Sequence, residues 1–183
     1  LNRLKGQMAN PNSIASNEFS RLVYAKNHIY SHNRLGTPST VNSVTMEDLQ
    51  KYYNDKLSAS LTNFHIVGAI SKNEVLEGLA NINNSWKTTS RDLPAVEMAE
   101  IPKESTIYFY DVPNAKQSVL NFGYPALKAT DEDFYLAGVM NYRLGGGGFA
   151  SQLTQELREG KGYTYGIRSR FNGDDLSGYF TIS

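Results

Sequence analysis

The residues best suited to chemistry in this chain are an arginine, a tyrosine and a run of glycines in one short stretch. Four consecutive glycines, Gly145–Gly148, end an apolar segment of helical character. A short amphipathic helix follows and ends in Arg158, before Gly160 and Gly162. Tyr165 comes seven residues after Arg158, within a run that favours β-structure. A guanidinium and a phenol at this spacing can both donate hydrogen bonds to one carbonyl oxygen as negative charge develops on it, which acyl-transfer chemistry requires.

Each of these features also has an ordinary structural explanation. Glycines cap the carboxyl ends of helices and permit close packing, and an arginine in a last helical turn complements the helix dipole. Tyrosines in strands are often half-buried packing residues. Tyr163 is a rival phenol, because it lies two residues before Tyr165 and can share its strand face. A phosphate-binding loop is a weaker alternative, since the glycine run lacks the P-loop lysine and follows a helix.

Composition narrows the class of protein. The chain has 183 residues, of which 40% are hydrophobic and 20% charged, as in an ordinary globular protein. Eighteen basic residues balance eighteen acidic ones, so nothing indicates nucleic acid or an anionic membrane as a partner. The lack of cysteine excludes disulfides, thiolate zinc sites and a cysteine nucleophile. The chain begins within a helical pattern and stops within a strand pattern, which predicts a fragment and leaves the compartment open.

The first half of the chain is predicted to be mainly helical. Residues 1–88 contain a long amphipathic pattern over 14–30 and capping boxes that begin at Thr45 and at Ser71. Residues 61–70 favour a strand. Residues 89–104 have prolines, mixed charge and no clear period, which is typical of a linker.

The second half, residues 105–183, changes to a period of two. Strands are predicted at 106–111 and 117–124, then a helix up to the glycines, and finally a hairpin that pairs 163–171 with 177–183. The predicted fold class is therefore α+β, with an antiparallel-rich mixed sheet packed by helices.

Taken together, these elements resemble the C-terminal, zinc-free domain of the pitrilysin/insulinase family of zinc metallopeptidases. The similarity extends over essentially the whole chain, because order and spacing agree from element to element. It rests on the loop His32–Thr37, the helix Thr45–Tyr53, the strand Asn63–Gly68, the glycine run, and the Leu-Arg-Glu…Gly…Tyr pattern that contains Arg158 and Tyr165.

The resemblance implies a function as well as a fold. It assigns Arg158 and Tyr165 to a pair that polarises the scissile carbonyl and stabilises the oxyanion, and it makes Gly145–Gly148 a loop that binds the peptide backbone. The family's zinc and general base lie in a homologous domain, so the expected partners are a peptide substrate and a zinc-bearing domain or subunit. The resemblance alone suggests a compartment, the bacterial periplasm or cell envelope, as one option. The alternative is a non-catalytic scaffold or assembly subunit derived from the same family.

No metal site is predicted in this chain itself. The family's H-x-x-E-H zinc helix is missing from the sequence. His28 and His32 have the i, i+4 spacing of helical ligands, but Ser31 replaces the carboxylate, so surface or capping histidines are favoured. His65 is predicted to be a packed neutral imidazole in a strand. The family's domain organisation also implies that 1–88 and 105–183 are halves of two homologous units, which we hypothesise complement each other.

Overall fold

The computed structural model describes residues 1–24, 26–86, 95–96 and 99–183. The chain forms two compact units, one that combines Leu1–Val41 with Val96–Ser183 and one that consists of Asn42–Ala95. The helices and strands in chain order are α1 (Asn2–Ala9), α2 (Pro11–Tyr24), α3 (Pro38–Ser43), α4 (Met46–Lys56), α5 (Lys72–Ser85), β1 (Phe122–Pro125), α6 (Phe134–Asn141), β2 (Ser169–Gly173) and β3 (Gly178–Ile182).

The sheet of the first unit is antiparallel, with the strand order β1-β3-β2. Ile182 of β3 lies between Phe122 of β1 and Ser169 of β2. Phe180 on the central strand is buried, and its ring centroid lies 4.8 Å from that of Phe171 on β2. Cross-strand aromatic pairs of this kind stabilise a sheet. Three strands with helices therefore confirm the predicted α+β class.

Helix α2 packs on this sheet through aromatic side chains. The Phe19 ring meets the Tyr179 ring edge-on at 5.8 Å. Gly123 on β1 permits this approach, because a Cβ there would lie 2.5 Å from Cζ of Phe19. Tyr24 is buried at the end of α2, 5.7 Å from the Tyr179 ring, and burial raises its pKa to about 12. The helix predicted over 14–30 ends at Tyr24, and a 3₁₀ turn, Ile29–Ser31, follows.

That 3₁₀ turn is attached to the β2–β3 hairpin by Tyr30. Its hydroxyl donates a hydrogen bond of 2.6 Å to Oδ2 of Asp174, while the amides of Leu176 and Ser177 donate to Oδ1. The Tyr30 hydrogen bond is the largest cause that lowers the pKa of Asp174 below its ordinary value of 3.8. The carboxylate therefore stabilises the fold above about pH 4, and that contribution is lost as the pH falls through the folded-state pKa.

Tyr30→Phe should weaken this pH dependence. The variant removes the hydroxyl but leaves both backbone donors to Asp174, so the free energy of unfolding should fall less steeply below about pH 4 than in the wild type. Urea unfolding at a series of pH values measures the slope. Tyr52→Phe, at an exposed phenol of α4, is the matched control and should reproduce the wild-type slope. A Tyr30→Phe slope equal to that of the wild type would contradict the role given to this hydrogen bond.

The second unit confirms both predicted capping boxes. The Thr45 hydroxyl accepts from the Asp48 amide, and the Asp48 carboxylate accepts from the Thr45 amide, at the start of α4. Ser71 and Glu74 make the same reciprocal pair at the start of α5. Each box satisfies two of the amides that a helix leaves without partners at its N-terminus.

Several strand predictions are wrong in extent or existence. In the described part of the second unit, residues 62–70 form no strand, and in the first unit the described residues 106–111 form none. The strand predicted at 117–124 is limited to Phe122–Pro125, and the hairpin begins at Ser169. A β-prone segment becomes a strand only when a second strand pairs with it through hydrogen bonds, and no described strand pairs with 62–70 or 106–111. His65 is accordingly exposed and not packed in a strand.

The predicted division of the chain stays a prediction. Part of the predicted linker, residues 89–94 and 97–98, lies outside the described residues. The complementation of two half-units is likewise untested, because it depended on a strand at 61–70.

Across the described ranges, no helix combines the length and the apolar character that crossing a bilayer would require.

Candidate functional site

The glycine run begins where α6 ends. Beyond Asn141 the chain continues as a π-helical turn, Tyr142–Gly146, in which Gly145 is buried. A Cβ on Gly145 would overlap Oγ of Ser169 and would lie 2.6 Å from the Ser169 amide nitrogen. The absence of a side chain therefore lets this turn lie directly against the start of β2. Close packing is one of the two explanations left open for the glycines by the sequence, and it applies at this position.

A buried polar pair holds the turn in place. The side-chain amide of Asn141 donates to the carbonyl oxygen of Ser169 at 2.8 Å, and the Ser169 hydroxyl donates back to Oδ1 of Asn141. Asn141 is 8% exposed and Ser169 is fully buried. Sequence reasoning missed both residues. The available signal was a lone amide at the end of an otherwise apolar helix, since buried polar side chains need specific partners.

The last glycines turn the chain toward the arginine. A Cβ on Gly147 would lie only 2.6 Å from the carbonyl oxygen of Tyr142. A Cβ on Gly148 would meet nothing within 4 Å. Gly148 has φ +61°, a conformation that favours glycine, and it begins a 3₁₀ turn over Gly148–Ala150. The fully buried Ser151 closes this turn, because its hydroxyl donates to the Gly148 carbonyl at 2.8 Å. The 3₁₀ turn brings Phe149 next to the predicted pair.

The structure places Arg158 and Tyr165 next to each other. Arg158 lies in a π-helical segment, Thr154–Gly160, and the chain reverses at Gly162, which has φ +64°. The guanidinium carbon of Arg158 lies 4.9 Å from the centroid of the Tyr165 ring. The rival phenol, Tyr163, lies instead beside the ammonium group of Lys161, at 5.8 Å. Among the two phenols, the contact with Arg158 thus belongs to Tyr165.

The same guanidinium also contacts a second ring. The Arg158 carbon lies 4.6 Å from the centroid of Phe149, and Nε of Arg158 lies 3.3 Å from a carboxylate oxygen of Glu159. The Arg158 side chain is 28% exposed, and Tyr165 is 89% exposed. The Arg158 guanidinium and the exposed Tyr165 phenol are thus two hydrogen-bond donor groups on side chains that contact each other.

Comparison with known proteins identifies the family. The family model for the peptidase M16 inactive domain matches residues 43–183. The chain belongs to the peptidase M16 inactive-domain family. The chain also aligns over its full length with a crystal structure of a peptidase M16 inactive domain from Pseudomonas fluorescens, with a TM-score of 0.85 and 27% identity, and it covers 43% of the Pseudomonas chain. The resemblance inferred from the sequence is confirmed.

Two relatives from Bacillus subtilis carry different names. The chain is 26% identical over 175 residues to the uncharacterized zinc protease YmxG, an alignment that covers 94% of the chain and 40% of the relative. It is 29% identical over 151 residues to the probable inactive metalloprotease YmfF, an alignment that covers 79% of the chain and 34% of the relative. The chain thus spans about two fifths or less of the length of these relatives.

The histidines of this M16 inactive domain occupy separate positions. Nδ1 of His28 accepts a hydrogen bond from the Tyr30 amide, and the His28 ring stacks on Tyr24 at 4.6 Å. His28 therefore caps the 3₁₀ turn, and His32 is exposed beyond it. The α-helical face that an i, i+4 ligand pair requires does not form in this segment. Within the part of the chain that the structure describes, no three His, Asp or Glu side chains are grouped to hold a metal ion.

Proposed function

We propose that this M16 inactive domain serves a zinc metallopeptidase by binding the peptide and stabilising its transition state, without catalysing hydrolysis alone. Arg158 and Tyr165 donate hydrogen bonds to the scissile carbonyl oxygen, and these bonds strengthen as that oxygen becomes an oxyanion. The zinc ion and the general base come from a homologous domain or subunit. A longer parent protein is one source of that domain, in keeping with the fraction of each relative that the chain covers.

The observation that carries this proposal is the contact between the Arg158 guanidinium and the Tyr165 ring, at 4.9 Å. The two donors belong to different segments on either side of the Gly162 turn, so their proximity depends on the fold. Arginine retains its charge in a partly buried setting, and its planar donors suit a carbonyl or carboxylate oxygen. The exposed Tyr165 phenol offers a second donor without the need to move a packed side chain.

The glycine run has a divided role in this proposal. Gly145 is buried and faces Ser169, so its contribution is to packing. Gly148 has open space where a side chain would be, next to the ring that contacts Arg158. A peptide backbone can approach such a position closely, which glycine permits. Gly148 is thus the member of the predicted substrate loop whose surroundings best suit a bound peptide, while Gly146 and Gly147 shape the turn that leads to it.

The purified 183-residue chain should neither hydrolyse peptides nor bind zinc in stoichiometric amount. Nδ1 of His28 already accepts a hydrogen bond from the Tyr30 amide. Isolated surface histidines also bind zinc weakly compared with a complete ligand set. Cleavage of a fluorogenic peptide library and metal analysis after dialysis measure both properties. The matched positive sample is the parent protein or the complex with its zinc-bearing partner, which should hydrolyse peptides and lose that activity with a chelator.

Two results would count against the proposal in different ways. Stoichiometric zinc on the isolated chain would contradict its assignment as the zinc-free part. A parent protein that carries an intact H-x-x-E-H site and bound zinc, yet hydrolyses no peptide, would favour the second candidate function. That candidate is a scaffold or assembly subunit in which Arg158 and Tyr165 have no catalytic role.

The names of two relatives favour this second candidate. One is the probable inactive metalloprotease YmfF, and another is the non-peptidase homolog YmxG of Helicobacter pylori, which is 26% identical over 142 residues. A degraded zinc motif in the parent reading frame, combined with a stable complex between the chain and a homologous subunit, would be the expected outcome for a scaffold.

A further inference from the structure

Phe149 occupies a position that packing alone does not explain. Its side chain is 65% exposed, so it contributes little to the core of the first unit. Its backbone is nonetheless held firmly. Gln155 donates a side-chain hydrogen bond to the Phe149 carbonyl, and the Ser151 hydroxyl closes the turn at Gly148. An exposed aromatic ring on an anchored turn indicates a role in a specific contact.

The contact that the ring makes is with the guanidinium of Arg158. The Arg158 carbon lies 4.6 Å from the Phe149 centroid and 4.9 Å from the Tyr165 centroid. Both distances are within the range of about 6 Å over which a cation is attracted to the face of a ring. Phe149 precedes Arg158 in the chain and Tyr165 follows it, and both rings contact the same guanidinium.

We propose that Phe149 is a positioning residue that holds the Arg158 guanidinium beside Tyr165. The Phe149 ring adds a second aromatic contact to the guanidinium, which the Glu159 carboxylate also contacts, 3.3 Å from Nε. Loss of the ring would leave only Tyr165 and Glu159 beside the guanidinium, which could then reorient more freely. The catalytic consequence rests on the proposed function, whereas the positioning itself does not.

The positioning can be measured on the 183-residue chain by NMR. The Nε–Hε signal of Arg158, assigned by its loss in Arg158→Lys, should be displaced by the ring currents of the two aromatic neighbours. Because Phe149→Leu removes one ring current in any case, the readout is the nuclear Overhauser contact between the Arg158 side chain and the Tyr165 ring, which Phe149→Leu should weaken and Phe149→Tyr should preserve. Tyr163→Leu is the matched control, because Tyr163 is an exposed ring that contacts Lys161, and it should leave the Overhauser contact unchanged.

A role of Phe149 in the turn alone predicts a different pattern. Phe149→Leu would then disturb the backbone amide signals of Gly148 and Ser151 and leave the Arg158 side chain in place. An unchanged Overhauser contact between Arg158 and the Tyr165 ring in Phe149→Leu overturns the inference.

The consequence for catalysis is tested in an active parent or complex. A cation–π contact at an exposed site corresponds to roughly 2- to 5-fold in the population of the oriented arginine. Phe149→Leu should therefore lower kcat by about that factor and Phe149→Tyr should restore it, while KM changes little. A weakened Arg158–Tyr165 Overhauser contact with no change in kcat would support the positioning and count against the proposed oxyanion role. In this way the two failures are distinguishable.

Discussion

Tyr165→Phe should lower kcat by about 10²–10³ in a zinc-loaded parent enzyme, the usual loss when one preorganised oxyanion donor is removed. The substitution deletes a hydroxyl and keeps the ring that contacts Arg158, so the guanidinium should stay in place. The Tyr165 side chain is 89% exposed, and removing its hydroxyl leaves no buried group without a partner. The loss should therefore appear in kcat and kcat/KM together, with stability and zinc content nearly unchanged.

Tyr163→Phe is the matched control for that experiment. Tyr163 is a similarly exposed phenol in the same segment, 77% exposed, but its ring lies beside Lys161 rather than Arg158. We expect close to wild-type turnover. Kinetics of both variants at saturating peptide, with zinc measured on each sample, compare the two phenols directly. A large loss in Tyr163→Phe with none in Tyr165→Phe would transfer the donor role to Tyr163. No effect of either, in an enzyme with verified zinc, would support the scaffold function.

Local chemistry in the sequence predicted helices well and strands poorly. The capping boxes at Thr45 and Ser71 involve residues three positions apart, so the helix starts could be read without any knowledge of the fold. A strand forms only if a second strand, often distant in the chain, pairs with it. The β-prone character of residues 106–111 therefore could not show whether a pairing strand was present. The pairing that does form joins Phe122 to Ile182, sixty positions along the chain.

The candidate site shows the same division. The spacing of Arg158 and Tyr165 and the glycines between them are visible in the sequence, so their proximity could be predicted, while their role as oxyanion donors stays a prediction. Phe149 and Asn141 could not be predicted, since their roles arise from three-dimensional contacts. Phe149 reaches Arg158 only through the left-handed turn at Gly148, and Asn141 is explained only by its buried partner on β2. The glycine run was predicted as a unit, but its members meet different surroundings.

Gly145→Ala should lower the free energy of unfolding by about 2–4 kcal/mol, because it overfills a closely packed site and disturbs a buried hydrogen-bonded pair. The new Cβ would overlap Oγ of Ser169, and it would lie 2.6 Å from the Ser169 nitrogen and 2.9 Å from Cδ1 of Leu153. The Ser169 backbone belongs to β2 and is paired with β3, so it cannot move away cheaply. The Asn141–Ser169 hydrogen bonds should weaken as well.

Gly138→Ala is the matched control for that variant, seven positions earlier and within α6. A Cβ at Gly138 would meet nothing within 4 Å, so alanine should stabilise the helix by about 0.5–1 kcal/mol. Urea unfolding of the two variants should therefore give midpoints on opposite sides of the wild type. This opposition separates the two explanations of the glycine run. If Gly145→Ala were as stable as the wild type, close packing would not account for this glycine. The substrate-loop explanation would then extend from Gly148 to Gly145.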